Sequence, residues 1–365
     1  MPDSSCYDGT IALFDSDKQC ENIYFAYLRR KETIPSFIKS TKVILVHNKK
    51  DILKRLSSIE PINGIIVHYL DNPNAEALFA LKKLYPEAKV IWCAWGGDFY
   101  PAINYPLYDQ ETQQMLLKKR GRRFTIDFLL KPYKNRFWNW AIPLVDYCSP
   151  VLPDEYPYLL QIKGFRAKQI LYSYSSAETM DFLTQKVQNI QLGGNVLIGN
   201  SATPTNNHLD IFKRIAGEQL PGKLIVPLSY GEPWYKHAVV EKGKLLFGAC
   251  FCPVFDIMPK EDYYHLISSC GTVIFNHYRQ QAMGNSNVML YLGARVYLSE
   301  KSSAYPYYKA MGIHVYSFEK DFAKYKFSKL EAEKVLENRE KMNKNIYNKE
   351  KLVHILNGVL QVLAK

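Results

Sequence analysis

The stretch at 274–294, IFNHYRQQAMGNSNVMLYLGA, decides how this chain reads. A β-branched and aromatic run ends near Asn276 and leads into Arg279. Gly284, Asn285, Ser286 and Asn287 then read as a turn, and an apolar run after them as a helix stopped by Gly293. Strand, polar turn and helix in that order form the repeating unit of a doubly wound sheet. Such a turn brings an arginine, amide side chains and unpaired helix N–H groups to one point. That combination suits an anion, and a phosphate first of all.

Outward from this segment the same pattern recurs in both directions. Short apolar runs at 11–14, 43–47, 65–69, 90–94, 144–148 and 169–172 predict strands in the first half, with helical periodicity at 74–84 and 112–130. Strands are predicted again at 196–199, 224–227, 245–247, 273–276, 296–299 and 314–316. The polar stretch 177–194, ending in Gly193-Gly194, separates the two series. The expected fold is α/β, with domains at 1–180 and 181–345 and a C-terminal helix at 346–365 packing back on the first domain. At 365 residues, two cores are a better prior than one. Two doubly wound domains would leave a ligand cleft at the carboxyl ends of their strands.

Three loops of the second half leave such strands. Gly199-Asn200-Ser201, followed by Thr205, Asn206, Asn207 and His208, offers backbone N–H groups and polar side chains to an anion, or simply caps a helix. The next loop, 227–231, carries Tyr230, and the third carries Arg279, Gln280, Gln281, Gly284, Asn285 and Asn287. Arg279 presents a forked set of donors to a diphosphate, and no Asp-rich pair nearby suggests a bridging magnesium ion. In the first half, Trp95-Gly96-Gly97-Asp98 ends a strand so that Asp98 either accepts a proton from an attacking hydroxyl or caps the segment after it. His68, leaving the preceding strand, is the second candidate base.

The chain carries 47 Lys+Arg against 35 Asp+Glu, a net +12 that points to polyanions or an anionic membrane face. The basic residues concentrate at 118–140, where Lys118, Lys119, Arg120, Arg122, Arg123, Lys131, Lys134 and Arg136 interleave with Phe124, Trp138 and other aromatics. That mixture suits an anionic membrane surface, while the segment matches no RRM, KH or zinc-finger pattern, so no nucleic acid is expected. Seven scattered cysteines without ligand spacing predict reduced thiols and no metal site. With neither a signal segment nor an eighteen-residue apolar run, the reading is a cytoplasmic protein that binds a membrane surface.

These residues together resemble glycosyltransferase family 56. The resemblance rests on His68 with Asn72-Pro73, Trp95-Gly96-Gly97-Asp98 with Tyr100, Gly199-Asn200-Ser201, Asn207-His208, Val226-Pro227 with Tyr230, and Arg279-Gln280-Gln281 with Gly284. It runs from about 68 to 294 and departs at Gly97, where the family has Ala, and at Gly271, where Asp is expected after Cys270. What it implies is a GT-B fold and an inverting, metal-independent hexosyltransferase without a cofactor. The implied donor is a TDP-sugar carrying 4-acetamido-4,6-dideoxygalactose, and the acceptor a lipid-diphosphate-linked saccharide at the cytoplasmic face of the bacterial inner membrane. By the same resemblance Asp98 is the base, and Ser201, Tyr230, Arg279, Gln280 and Asn287 line the donor site. The rivals are a UDP or GDP sugar donor, a sugar-nucleotide epimerase, and a non-catalytic nucleotide-binding or nucleic-acid-binding protein.

Overall fold

A computed structural model describes residues 7–16, 20–28, 38–59, 61–120, 135–174, 183 and 190–364. The chain divides into two compact units, 1–105 with 122–177 and 349–365, and 106–121 with 178–348. All the strand pairs are parallel.

In the first unit β1 (Tyr24–Tyr27) pairs with β2 (Val43–Val46). A second sheet has the order β3 (Gly64–His68), β4 (Lys89–Ala94), β5 (Tyr147–Pro150), β6 (Lys168–Gln169). Val90 to Ala94 are all buried, the continuous apolar run of a strand covered on both faces. The helix Asn72–Leu84 starts where the Asp71 side chain accepts from Asn74 N–H and Pro73 fills the first turn. The C-terminal helix Lys349–Leu363 belongs to this unit and buries Leu356 and Val359 with Ile91 and Cys93. Its Leu363 lies so close to Gly64 that a Cβ there would approach within 2.4 Å.

One predicted strand of this unit is a helix. The 11–14 run falls inside Tyr7–Asp15, whose buried residues Tyr7, Thr10, Ile11 and Phe14 follow the i, i+3, i+4, i+7 spacing of a helix face. Only the apolar half of that face is visible in the four residues read as a strand.

The second unit holds six strands in the order β12-β11-β10-β7-β8-β9, namely β7 (Asn195–Ile198), β8 (Leu224–Pro227), β9 (Phe251–Val254), β10 (Cys270–Phe275), β11 (Arg295–Leu298) and β12 (Tyr316–Ser317). Counting β7 as the first, this is the 3-2-1-4-5-6 order of a Rossmann sheet, and the order reverses between β7 and β10. The predicted strand at 245–247 is instead the end of the helix Pro233–Phe247, with Leu245 exposed. The real strand, β9, contains Pro253, and it escapes penalty because it lies at the sheet edge.

The 106–121 segment folds with the second unit although it lies within the first predicted domain. The buried Asp210 carboxylate explains this: it accepts from Glu111 N–H (2.6 Å) and from both the backbone N–H and hydroxyl of Thr112 (3.1 and 2.7 Å). Met115 of the helix Gln110–Arg120 packs on the core of the same unit.

Candidate functional site

The loops after β7, β8 and β10 all leave the carboxyl edge of the second sheet, and two of them flank its switch point. Gly199 stands at φ +65, and a Cβ there would come within 2.5 Å of His208 Nε2 and 2.8 Å of Asn206 Oδ1. Glycine is therefore required for the loop to lie on those side chains. Asn206 is the hub beneath the loop. Its Oδ1 accepts from Asn200 N–H (2.8 Å) and His277 Nε2 (2.9 Å), while its Nδ2 donates to Ser201 Oγ (3.1 Å) and Thr203 O (3.0 Å).

Above that hub runs a polar chain across the three loops. Asn200 Nδ2 donates to Tyr230 Oη (3.0 Å), Gln281 Nε2 donates to Asn200 Oδ1 (2.8 Å), and Thr205 Oγ1 donates to Gln281 Oε1 (2.7 Å). Tyr230 is half exposed, and the Arg279 charge acts on its hydroxyl. The helix starts earlier than its sequence suggests. Met283–Leu292 includes Gly284 to Asn287, so those residues are its first turn. Ala282 at φ +57 precedes it without a side-chain cap, and Ser286 N–H, bonded to Ala282 O, is the first to find an intrahelical partner. The helix thus opens with unpaired N–H groups, no acidic residue in its first turn and an exposed Gly284. A non-glycine residue in the left-handed region at that point is the kind of strain found at ligand sites.

Four of the expected donor contacts have other work. Asn207 is fully buried, donating to Asn276 O (2.7 Å) and accepting from Asp109 N–H (3.0 Å). His208 is also fully buried, its ring against Phe212 and Tyr235, and neither nitrogen has a hydrogen-bond partner. Burial holds its pKa down to about 3, so it is a neutral filler beneath Gly199 and cannot serve as a cationic phosphate ligand. Asn285 donates to Tyr263 Oη (2.8 Å), and Asn287 accepts from Tyr308 Oη (2.6 Å), so both side chains brace their helix. Gln280 and Ser201 are buried. The groups left to meet a ligand are Asn200, Tyr230, Arg279, Gln281 and the backbone around Gly284.

In the first unit the strand ends gather a different set. Asp98 Oδ2 accepts from Leu70 N–H and Trp92 Nε1 (both 2.9 Å), and Oδ1 accepts from Trp95 N–H (2.9 Å). Burial pushes its carboxyl above the usual range, against the pull of these donors. Asp98 frames the loop through these three bonds. His68 lies nearby in sequence order at the end of β3, its Nδ1 2.8 Å from Tyr174 Oη, which also accepts from Trp95 Nε1. Tyr7, Tyr172 and Tyr174 surround its ring, and burial holds its pKa well below the usual value, so it is neutral near pH 7. Asp98→Ala should lower stability by about 3–5 kcal/mol, since three buried donors lose their acceptor at roughly 1–3 kcal/mol each. Urea unfolding checks this, and an unchanged midpoint would refute the framing role.

The basic segment is divided between the units. Lys118 and Lys119 belong to the helix Gln110–Arg120, where Lys119 Nζ sits 3.7 Å above the Trp234 ring. Arg136 belongs to Arg136–Ala141, whose Trp138 packs inward on Trp92 while Trp140 is exposed. Trp138 is therefore a packing residue and not a membrane-facing one. Arg122, Arg123, Phe124, Lys131 and Lys134 lie outside the described residues, as does the Arg120 side chain. Among the described residues no helix is long and apolar enough to cross a membrane.

Tyr263 had no assigned role in the sequence, whereas Thr205 and Asn206, read there as facing an anion, bond Gln281 and hold the hub beneath the loop. Tyr174 carried no local signal at all, since it meets His68 across 106 residues.

Solved structures share this architecture. The trehalose-6-phosphate phosphatase N-terminal domain of Candida albicans superposes with TM-score 0.63 at 9% identity, covering 99% of this chain and 93% of its own. Sucrose-phosphate synthase of Thermosynechococcus elongatus gives 0.62 at 9%, covering 93% and 88%. An E. coli trehalose-6-phosphate structure bound with UDP-2-fluoro glucose gives 0.61 at 7%, covering 99% and 96%. The fold is GT-B, built from two Rossmann-like α/β domains, and the molecule is a glycosyltransferase. More narrowly, residues 155–349 match the family described as 4-alpha-L-fucosyltransferase, glycosyl transferase group 56, and the chain belongs to that family.

Proposed function

We propose that this glycosyltransferase moves a 4-acetamido-4,6-dideoxygalactose-type sugar from TDP to a lipid-diphosphate-linked saccharide, with inversion and without a metal ion. Its place is the cytoplasmic face of the bacterial inner membrane. The observation that carries the reading is the polar chain Tyr230–Asn200–Gln281, which ends beside the uncapped start of the helix Met283–Leu292 at the sheet's switch point, with the Arg279 charge acting on Tyr230. Helix N–H groups and a guanidinium meet the charge that develops on the departing diphosphate, a stabilisation aimed at the transition state.

For the proton, the geometry favours His68 over Asp98. The Asp98 oxygens already accept three N–H bonds, whereas His68 is neutral, and in the tautomer that donates Nδ1–H to Tyr174 Oη its Nε2 lone pair is the proton acceptor. A neutral imidazole can take the proton of an acceptor hydroxyl as it attacks the anomeric carbon, while the sugar–phosphate bond breaks and its electrons leave with TDP. Asp98 then acts by shaping the loop.

Thermal shifts with TDP, UDP, GDP and ADP test the donor. A ligand at a hundredfold excess over its Kd stabilises the folded chain by about 2.7 kcal/mol. Selective stabilisation by TDP supports the proposal. Selective stabilisation by UDP would move it to a UDP-sugar, the nucleotide class seen in the E. coli relative. Arg279→Ala should weaken nucleotide binding by about 10- to 100-fold, the equivalent of a lost charged hydrogen bond. Unchanged affinity by calorimetry would remove Arg279 from the site.

A further inference from the structure

Asp109 lies outside the loops that line the donor site, yet it is tied to the one that carries Arg279. Its Oδ2 accepts from Asn276 Nδ2 (2.9 Å), and its own N–H donates to Asn207 Oδ1 (3.0 Å). Asn207 Nδ2 donates in turn to Asn276 O (2.7 Å), which closes a ring of three residues at the switch point of the second sheet. Two residues further on, Tyr278 is buried against the loop after β11. Its hydroxyl accepts from Lys301 Nζ (3.0 Å), whose ammonium lies 4.1 Å from the centre of the Tyr278 ring. Ser302 Oγ donates to Arg279 O (3.1 Å). Residue 276 is thus held from Asp109 on one side, and residues 278 and 279 from the loop after β11 on the other.

We infer that Asp109, Tyr278 and Lys301 form a clamp that sets the position of Arg279, so that Asp109 and Tyr278 are positioning residues for nucleotide binding. The inference rests on the donor reading of Arg279 given above. The chemistry explains why the residue is an aspartate. Its carboxylate accepts from two donors, one on each oxygen: Gln110 N–H (2.8 Å) on Oδ1 and Asn276 Nδ2 (2.9 Å) on Oδ2. An asparagine has one acceptor oxygen and would turn an NH2 group toward the other donor. The Tyr278 hydroxyl accepts from the Lys301 ammonium, and with 3% of its surface exposed it has no water to replace that bond. Asn276 is buried as well. The segment that supplies Asp109 is fixed to the second unit by its own anchor, the Asp210 bonds to Glu111 and Thr112, so the clamp has a firm base.

A double-mutant cycle separates positioning from plain stability. Asp109→Asn and Tyr278→Phe are each made in the wild type and in an Arg279→Ala background. Binding is read by calorimetry with whichever of TDP, UDP and GDP binds the wild type most tightly. In the wild type each substitution should weaken binding about 5- to 10-fold. In the Arg279→Ala background each should change it less than about twofold, because the group being positioned is gone. Equal weakening in both backgrounds would show a general structural effect and overturn the clamp, as would no weakening in the wild type. If Arg279→Ala weakens binding and the clamp variants do not, only this inference fails. If Arg279→Ala itself binds normally, the donor reading falls and takes the clamp with it. Tyr278→Phe removes a single hydroxyl, which keeps the cycle informative should Asp109→Asn fail to fold.

Discussion

Stability should fall by about 2.7 kcal/mol for each pH unit as the second unit is taken from pH 6 toward pH 4. His208 and His277 are the cause. Both rings are buried and neutral in the fold: burial alone holds His208 down to about 3, and burial with the Arg279 charge holds His277 well below its usual value. In the unfolded chain each titrates near 6.5, so below that pH the unfolded state binds two protons that the folded state refuses. The folded pKa is depressed for both groups, which means their neutral burial favours folding least at low pH, and stability rises with pH through this window. Two protons at roughly 1.36 kcal/mol each give the slope. Asp210 runs the other way, since burial raises its carboxyl above the usual value, and it softens the fall near the acid end. Urea unfolding of the full chain at pH 7, 6 and 5, with hydrogen exchange of β7 and β10 amides to localise the transition, measures this. His277→Gln should remove about half the slope. A halved slope between pH 6 and 5 would mean that one of the two rings can be protonated in place, and a flat profile that both can.

Those histidines also show what a sequence can and cannot disclose. Both stood in loops already marked as ligand sites, and residue type alone suggested contact with phosphate. Their depth is decided by Gly199, which lets the backbone settle onto His208, and by Asn206, which gathers four bonds beneath the loop. The architecture was more legible. The runs at 196–198 and 273–276 are buried on both faces, so their composition carries the signal without help from neighbours, and the loops that begin at 199 and 277 follow directly from them. Reading failed where local pattern and tertiary setting disagree. Pro253 argues against a strand unless the strand is known to be an edge, and Leu245 to Phe247 look like a strand unless the helix from Pro233 is already in view. Asp98 shows what else stays hidden. A carboxylate after two glycines invites a catalytic reading, and only the three N–H donors around it reveal that Asp98 also frames its loop. No spacing rule reports how many lone pairs a side chain has left.

Gly231→Ala should be the most damaging single methyl in the donor site, lowering stability by about 4–6 kcal/mol and abolishing nucleotide binding at accessible concentrations. Gly231 sits at φ +121, a region an L side chain rarely enters. A Cβ would stand 2.5 Å from the Ala202 carbonyl carbon, 2.6 Å from its oxygen and 2.9 Å from Thr203 N. All three are backbone atoms and cannot rotate away. Ala202 also joins the loop after β7 to the loop after β8, through its N–H to Tyr230 O (2.7 Å) and its O from Glu232 N–H (2.9 Å). Backbone strain of about 1–3 kcal/mol adds to the clash with backbone that cannot yield and to the two hydrogen bonds between the loops, each worth about 0.5–1.5 kcal/mol. Relief requires the loops to part, and parting them carries Tyr230 away from Asn200, which breaks the polar chain at its first link. Gly284→Ala supplies the contrast. No atom lies within 4 Å of a Cβ there, the backbone is helical, and alanine favours a helix over glycine by up to about 1 kcal/mol. Its melting temperature should hold or rise while nucleotide affinity falls, because on the proposed reading the added methyl stands over the helix opening that receives the diphosphate. If Gly231→Ala melts like the wild type, the two loops do not need their close approach. If Gly284→Ala binds TDP as the wild type does, the diphosphate does not rest on that helix.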